Sequence, residues 1–426
     1  MKKTFLIFLL LTLFPLAARA QDEYGRAVMA SGLTVISRER ADDLTSACLF
    51  IKVKESDEPA GKKGLTGIVN HTLLSCDPLG KGESPVLKVE QLGGYVTVET
   101  GQQFTCFTLS VPSKNSVPAL KAFADMFISP DFSEAAVSRE RDASAASWLR
   151  HSDRVQDKVC RMLEWPGAYV PPDPGNISAD DARAWYLRNY RPSGMVLSIC
   201  GPNAGRLMKA ASEAFARYLP PEASSAEKGS GADASGGKAP VDKDKREAVA
   251  LDYPLPGGGS RDYPAMLVAR ALLASGMGSE MFKYLRGTDP ISYLFGSVID
   301  YEASGPKLLL FATVPGEGVS GPAADRVLQA VGAVREDGIT RMDFDRAKQY
   351  AEGELLMQES SASLARSAGL YEFLGLGPDY GEKLAGLIEK TGRQDVAKAA
   401  GRYLSNCGMV KLPLPDNTGE DSEAAR

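Results

Sequence analysis

Apolar and polar residues alternate over 94–100 and again over 104–111, the period of half-buried strands, and the two stretches together predict a hairpin. Ahead of them Cys48-Leu49-Phe50-Ile51-Lys52-Val53 reads as a strand and residues 64–74 as a helix. Behind them residues 117–127 and the charged stretch 133–150 read as two further helices. The same succession returns later in the chain: a helix over 263–274, strands over 291–301 and 308–314, then helices over 323–336 and 343–359. In both copies the second hairpin strand ends in Val-Pro, at Val111-Pro112 and Val314-Pro315. A duplicated α+β unit is the simplest account of a pattern repeated in this order.

Between the copies, residues 221–247 hold small, polar and charged side chains and almost nothing apolar. Such a segment cannot bury enough surface to offset its ordering entropy, so it reads as a flexible tether. The polar residues 413–426 read as a disordered tail. At the other end, Met1-Lys2-Lys3 precedes an apolar run from Phe5 to Ala17 and then Ala18-Arg19-Ala20. A basic start, a short apolar core and an A-x-A end describe a secretory signal over 1–20. The run is shorter than the ~20 residues a spanning helix needs. No Cys stands at the cleavage point to carry a lipid. The expected layout is therefore a signal (1–20), one domain (21–220), the tether (221–247), a second domain (248–412) and the tail, with export to the periplasm and no membrane span in the mature chain.

Composition adds exclusions. The 426 residues are 44% hydrophobic and 24% charged, with a net charge of −5 and no Lys/Arg run, which argues against nucleic acid as a partner. Six cysteines (48, 76, 106, 160, 200, 407) lack the spacing of a zinc cluster or a C-x-x-C redox pair. Cys48, Cys106 and Cys200 fall in apolar strand-like runs and read as buried thiols, with a Cys48–Cys106 bridge left open. Trp148, Trp165 and Trp185 read as packing residues, Gly257-Gly258-Gly259 as a loop with no phosphate-binding Lys, and the Arg139–Asp142 charge run as a solvated helix face.

Four segments carry a family resemblance. Gly64-Leu65-Thr66-Gly67-Ile68-Val69-Asn70-His71-Thr72-Leu73-Leu74 resembles the zinc helix of the pitrilysin/insulinase-type metallopeptidases, which bears an inverted H-x-x-E-H motif. Gly93-Gly94-Tyr95-Val96-Thr97-Val98-Glu99-Thr100 resembles that family's substrate strand, and Thr97 and Val98 fall at its centre. Pro130-Asp131-Phe132 leading to Arg139-Glu140-Arg141-Asp142 resembles the start of its glutamate-bearing helix, and Tyr190-Arg191-Pro192-Ser193-Gly194-Met195 its Y-R-P-x-N-M strand entry. The resemblance spans nearly all of 28–412. It implies two homologous α/β rolls closing like a clam shell over an extended peptide.

A hydrolytic zinc needs three protein ligands, an open position for water and a base beside it. The family's His, Glu and His positions are here Gly67, Asn70 and His71. Glycine offers no ligand, and an amide accepts no proton at neutral pH. Counting on from Glu140, the third ligand position falls on Ser147, beside Ala146. Three of the four roles are lost together. A substitute site of His71, His151 and Glu140 would still lack a positioned base.

The second half keeps more. The family's Arg and Tyr, seven residues apart, hold the substrate carbonyl and steady the tetrahedral intermediate. Leu285-Arg286-Gly287-Thr288-Asp289-Pro290-Ile291-Ser292-Tyr293 keeps Arg286 and Tyr293 at that spacing, and Pro290 departs from the pattern. Beside this stands the plainer reading of a helix-ending Arg and a packing Tyr. The resemblance thus implies a non-catalytic subunit without a cofactor of its own, in a heterodimer whose other chain bears the zinc, acting on peptides. A peptide-binding or structural protein without chemistry is the alternative, and an active zinc peptidase with an atypical site is a third reading.

Overall fold

The computed structural model describes residues 24–413 apart from 54–56, 60, 76–83, 101–103, 129, 152–175, 219–246, 288, 303–304, 315–317, 337 and 358–359. The expected signal (1–20), nearly all of the expected tether (221–247) and all but the first residue of the expected tail (413–426) lie outside the described residues, as do Cys76, Cys160 and Trp165.

The first half runs β1 (Gly25–Val28), β2 (Thr34–Glu39), β3 (Leu44–Ile51), α1 (Leu65–Ser75), α2 (Pro85–Gln91), β4 (Tyr95–Thr100), β5 (Thr105–Pro112), α3 (Ser116–Ile128), α4 (Glu134–His151), α5 (Ala179–Asn189), β6 (Met195–Gly201) and α6 (Ala204–Phe215). Its strands form one sheet in the order β1-β2-β6-β3-β5-β4, antiparallel except where β2 meets β6. The second half runs β7 (Glu247–Pro254), α7 (Tyr263–Ala274), α8 (Glu280–Arg286), β8 (Phe295–Glu302), β9 (Gly305–Val314), α9 (Ser320–Arg335), α10 (Arg341–Leu356), α11 (Ser361–Phe373), α12 (Tyr380–Lys390), α13 (Arg393–Tyr403) and β10 (Gly408–Pro413). Its sheet has the order β10-β7-β9-β8, all antiparallel.

The two orders are one order. β6-β3-β5-β4 and β10-β7-β9-β8 place corresponding strands side by side, as a duplicated α+β unit requires. The helices follow suit: α1 lies on α4, and α7 lies on α10. Ser75 donates to Glu140 at 2.9 Å across the first pair, and Arg270 is salt-bridged to Glu354 across the second.

Strand β3 explains the architecture. Its successive side chains point to opposite faces of the sheet. Ala47, Leu49 and Ile51 enter one core with α1, α3 and α5, whereas Cys48 and Phe50 enter a second apolar layer on the opposite face. A continuous apolar run, rather than an alternating one, is what a strand covered on both faces needs. The cover on the second face is α11, a helix of the other half: Ala365 and Ala368 are buried there, flanked by Leu364, Leu370 and Phe373. Small residues let it approach closely, and a Cβ built on Gly369 would stand 2.5 Å from the Phe50 ring.

One open alternative closes and two expectations are corrected. Cys48 and Cys106 are free thiols on diagonal positions, since Cys48 faces Thr108 and Cys106 faces Phe50, so the bridge left open is not formed. Both sulfurs lie instead near the Thr108 hydroxyl, at 3.6 and 3.8 Å. The Arg139–Asp142 run is not simply solvated: Arg141 donates to the Ile177 carbonyl at 2.6 Å and to Glu134 at 2.8 Å, because α4 packs between α1 and α5 along this turn. The strand expected from 291 begins at Phe295, since Ile291 and Ser292 turn their amides back onto the Leu285 carbonyl.

Candidate functional site

Helix α1 starts where its free amides find a buried carboxylate. Glu58 accepts from the Gly64 amide at 2.8 Å and from the Thr66 amide at 2.6 Å, satisfying donors that the first turn leaves open. Burial raises its carboxyl above the usual range. Ile68, Val69, Thr72 and Leu73 then turn the helix's inner face into the core. Gly67 and His71, one turn apart, lie on the outer side. A Cβ at Gly67 would meet nothing within 4 Å, and His71 is exposed. Ser75, the next residue on this stripe, meets Glu140 of α4. The outer stripe of α1, where the resemblance leads one to expect zinc ligands, thus offers no side chain at Gly67.

Asn70 has another occupation. It is fully buried, and its Nδ2 donates to Thr100 Oγ1 of β4 at 2.8 Å and to Thr105 Oγ1 of β5 at 3.3 Å. Its Oδ1 accepts from the Tyr190 hydroxyl, whose phenol burial pushes well above its ordinary value and so keeps as a donor. The Tyr190 carbonyl in turn accepts from Tyr218, and Tyr186 donates to the Phe127 carbonyl. An amide tied to two strands and a tyrosine is a joint in the scaffold, neither chemically able nor free to take a proton from water.

Ser147 sits on α4 two helical turns beyond Glu140; its side chain and that of His151 lie outside the described residues. Glu140 reaches α1 at Ser75, one turn past His71. Among the described residues no three His, Cys, Asp or Glu side chains converge. The donor set at the motif, a glycine, an amide and one exposed imidazole, does not fit a catalytic zinc.

Strand β4 is the sheet's edge, and among the described residues no strand pairs with its outer side. Val96 and Val98 pack inward and Thr100 reaches Asn70, while Tyr95, Thr97 and Glu99 lie exposed on the opposite face. Glu99 is held by Arg366 of α11 at 2.9 Å.

Arg286 and Tyr293 do come together. Arg286 ends α8, and its guanidinium lies 4.1 Å from the centroid of the Tyr293 ring, with Phe282 on a second side at 5.6 Å. Tyr293 is 80% exposed. Pro290 leaves the loop well anchored: Ile291 and Ser292 bond the Leu285 carbonyl at 2.9 and 3.2 Å, and Asp289 pairs with Arg326 at 2.5 Å. Phe282, Asp289 and Arg326 were not singled out from the sequence. Phe282 was findable, since it stands one helical turn before Arg286. Among the described residues no hydrogen bond, ion pair or ring contact joins this pair to the α1 stripe.

Comparison with known proteins follows the same lines. Residues 34–164 match the family model described as insulinase (peptidase family M16), and residues 176–350 match the one described as the peptidase M16 inactive domain. An uncharacterized zinc protease of Bacillus subtilis (strain 168) is 22% identical over 327 residues, 73% of this chain and 78% of that protein. An insulin-degrading enzyme homolog of Dictyostelium discoideum is 26% identical over 199 residues, 42% of this chain but 20% of that longer protein. A protease from Helicobacter pylori superposes with a TM-score of 0.81 at 18% identity, covering 92% of this chain and 100% of its own. The peptidase M16 inactive domain from Pseudomonas fluorescens superposes with a TM-score of 0.75 at 16% identity, covering 92% and 99%. At these identities the superpositions speak for the fold. The two family models, in chain order over the zinc-helix half and the Arg/Tyr half, place the chain in the pitrilysin/insulinase-type metallopeptidase family, peptidase family M16.

Proposed function

We propose that the chain is an exported, non-catalytic M16 subunit that lends Arg286 and Tyr293 to peptide hydrolysis at the zinc of a partner subunit. One contrast carries this reading. The zinc helix has lost its ligand and its base, and Asn70 has become a buried joint, whereas Arg286 remains stacked on an exposed Tyr293. An exposed phenol beside a guanidinium is a pair of donors suited to a developing oxyanion. The clam-shell closure that would bring the pair to the partner's metal belongs to the same proposal.

The test uses the full chain mixed with a zinc-bearing family member from the same genome, at saturating subunit concentration. Removing one oxyanion donor typically lowers turnover about a hundred- to a thousand-fold. Arg286→Ala and Tyr293→Phe are expected to reduce hydrolysis of a fluorogenic peptide on that scale while the pair still co-elutes on gel filtration. Tyr293→Phe keeps the ring that Arg286 rests on and removes only the hydroxyl. Unchanged turnover in both variants would return the two residues to a packing role. The open edge of β4 would then favour the second reading, a protein that binds extended peptides by strand addition without cleaving them.

A further inference from the structure

Helix α8 ends against α9, and one side chain of α9 gathers the chain on either side of that end. Arg326 donates to the Tyr284 carbonyl at 3.2 Å, one of the last-turn carbonyls that a helix leaves without an intrahelical partner. It also donates to the backbone carbonyl of Asp289 and, through its other terminal nitrogen, to the Asp289 carboxylate at 2.5 Å. Acceptors before and after Arg286 thus meet in one guanidinium fork, a geometry that the point charge of a lysine does not reproduce. Arg286 itself is left uncommitted. Its guanidinium lies against the Tyr293 and Phe282 rings and makes no hydrogen bond or ion pair among the described residues.

Asp289 is the carboxylate nearest to Arg286 along the chain, three residues on. A carboxylate so close in the chain competes for a free guanidinium in a charge-assisted, bidentate pair. Arg286 stays free because Asp289 is held elsewhere. We propose, resting on the Arg286–Tyr293 clamp reading, that Arg326 is the clamp's positioning residue: it captures Asp289 and so keeps Arg286 open to a substrate carbonyl. The capture acts twice. It removes a competitor for the Arg286 donors, and it neutralises a negative charge that would oppose an oxyanion developing there. Little stability is at stake, since the Asp289 side chain is 79% exposed and surface pairs contribute weakly. The effect belongs to turnover rather than to folding.

Two variants test it. Arg326→Gln keeps a donor for the backbone carbonyls and loses the charge that holds Asp289, whereas Arg326→Met loses both, and whichever folds decides. In the full chain alone, the Nε–Hε resonance of Arg286 reports on its partner, and Tyr293→Leu, which removes the ring current, assigns it. Both Arg326 variants should move this resonance downfield, toward an ion-paired guanidinium, and adding Asp289→Asn should return it. In the mixture with the zinc-bearing subunit, each Arg326 variant should lower kcat about tenfold or more with KM little changed. Asp289→Asn in the same chain should restore kcat to within about threefold of native. A purely structural ion pair would behave otherwise, because the double variant breaks it just as the single one does. A resonance that stays in place, or a kcat that falls and is not restored by Asp289→Asn, overturns the inference. So does an unchanged kcat where Arg286→Ala lowers it, an outcome that leaves the clamp itself standing. Turnover indifferent to Arg286→Ala would instead strike the clamp, and the resonance would still decide whether Arg326 holds Asp289 away from Arg286.

Discussion

Two glycines in helices carry opposite messages at the scale of single residues. Gly67 stands where the resemblance leads one to expect a zinc ligand, yet nothing within 4 Å would meet a Cβ there. Its lack of a side chain is therefore not required by packing, and the backbone entropy of a mid-helix glycine is an uncompensated cost. Gly67→Ala should stabilise the chain by about 0.5–1 kcal/mol. Gly369 is the reverse case. A methyl there would meet Phe50 at 2.5 Å and Ser198 Cβ at 2.9 Å, and Phe50 cannot easily yield because Phe104 and Phe373 lie against it at 5.2 and 6.1 Å. Gly369→Ala should destabilise by ~1–3 kcal/mol despite the better helix propensity. Urea unfolding of the two variants, compared at equal m-values, measures both signs. Stabilisation by both would mean that α11 does not lie on the sheet as described.

At the scale of elements, what the sequence made legible follows from where each element finds its cover. Helix α7 was expected over 263–274 and occupies those residues, because its apolar stripe packs on its own half. The first hairpin was legible because β4 is an edge strand whose residues alternate between exposed and half-buried, whereas β8, also an edge, is half-buried throughout 295–299. Helix α11 was not, since Ser-Ala-Ser-Leu-Ala-Arg-Ser-Ala-Gly-Leu has little amphipathic contrast: its small residues serve close approach to a sheet in the other half. The departure from the zinc motif was readable at Gly67 and Asn70, but the buried role of Asn70 was not, because Thr100, Thr105 and Tyr190 reach it from distant parts of the chain. The energetics of α11 divide just as unevenly. Arg366 pairs with Glu99, but their side chains are 38% and 60% exposed, so Arg366→Ala should cost ~0–1 kcal/mol. Phe373 lies against Phe50 and Phe104 in the apolar layer, and Phe373→Ala should cost about 2–3 kcal/mol, somewhat below a fully buried phenylalanine. Chemical denaturation of the two variants should give that order, and equal losses would shift the weight from the aromatic layer to the ion pair.

At the scale of the whole molecule, that same helix decides what happens when the chain is cut between its halves. Residues 221–247 have almost no apolar content, so brief proteolysis should cut there first. Composition alone would then suggest two fragments that part. The structure opposes parting. The outer face of the first sheet presents Ile36, Phe50 and Val196, all buried, and their cover comes from α11 beyond the cut. Exposing large apolar side chains of this kind costs about 1.5–3 kcal/mol each, which the loss of a covalent link does not offset. Asp42 with Ser361, Arg26 with Glu372 and Arg38 with Glu382 tie the same junction at its rim. The nicked protein should therefore elute from gel filtration at the volume of the intact chain, and resolve into two bands only under denaturing conditions. Refolded alone, the N-terminal fragment should bind a hydrophobic dye or self-associate, because its second apolar face lacks its helix. Fragments that separate in native buffer, each without dye binding, would show that α11 is dispensable to the first sheet.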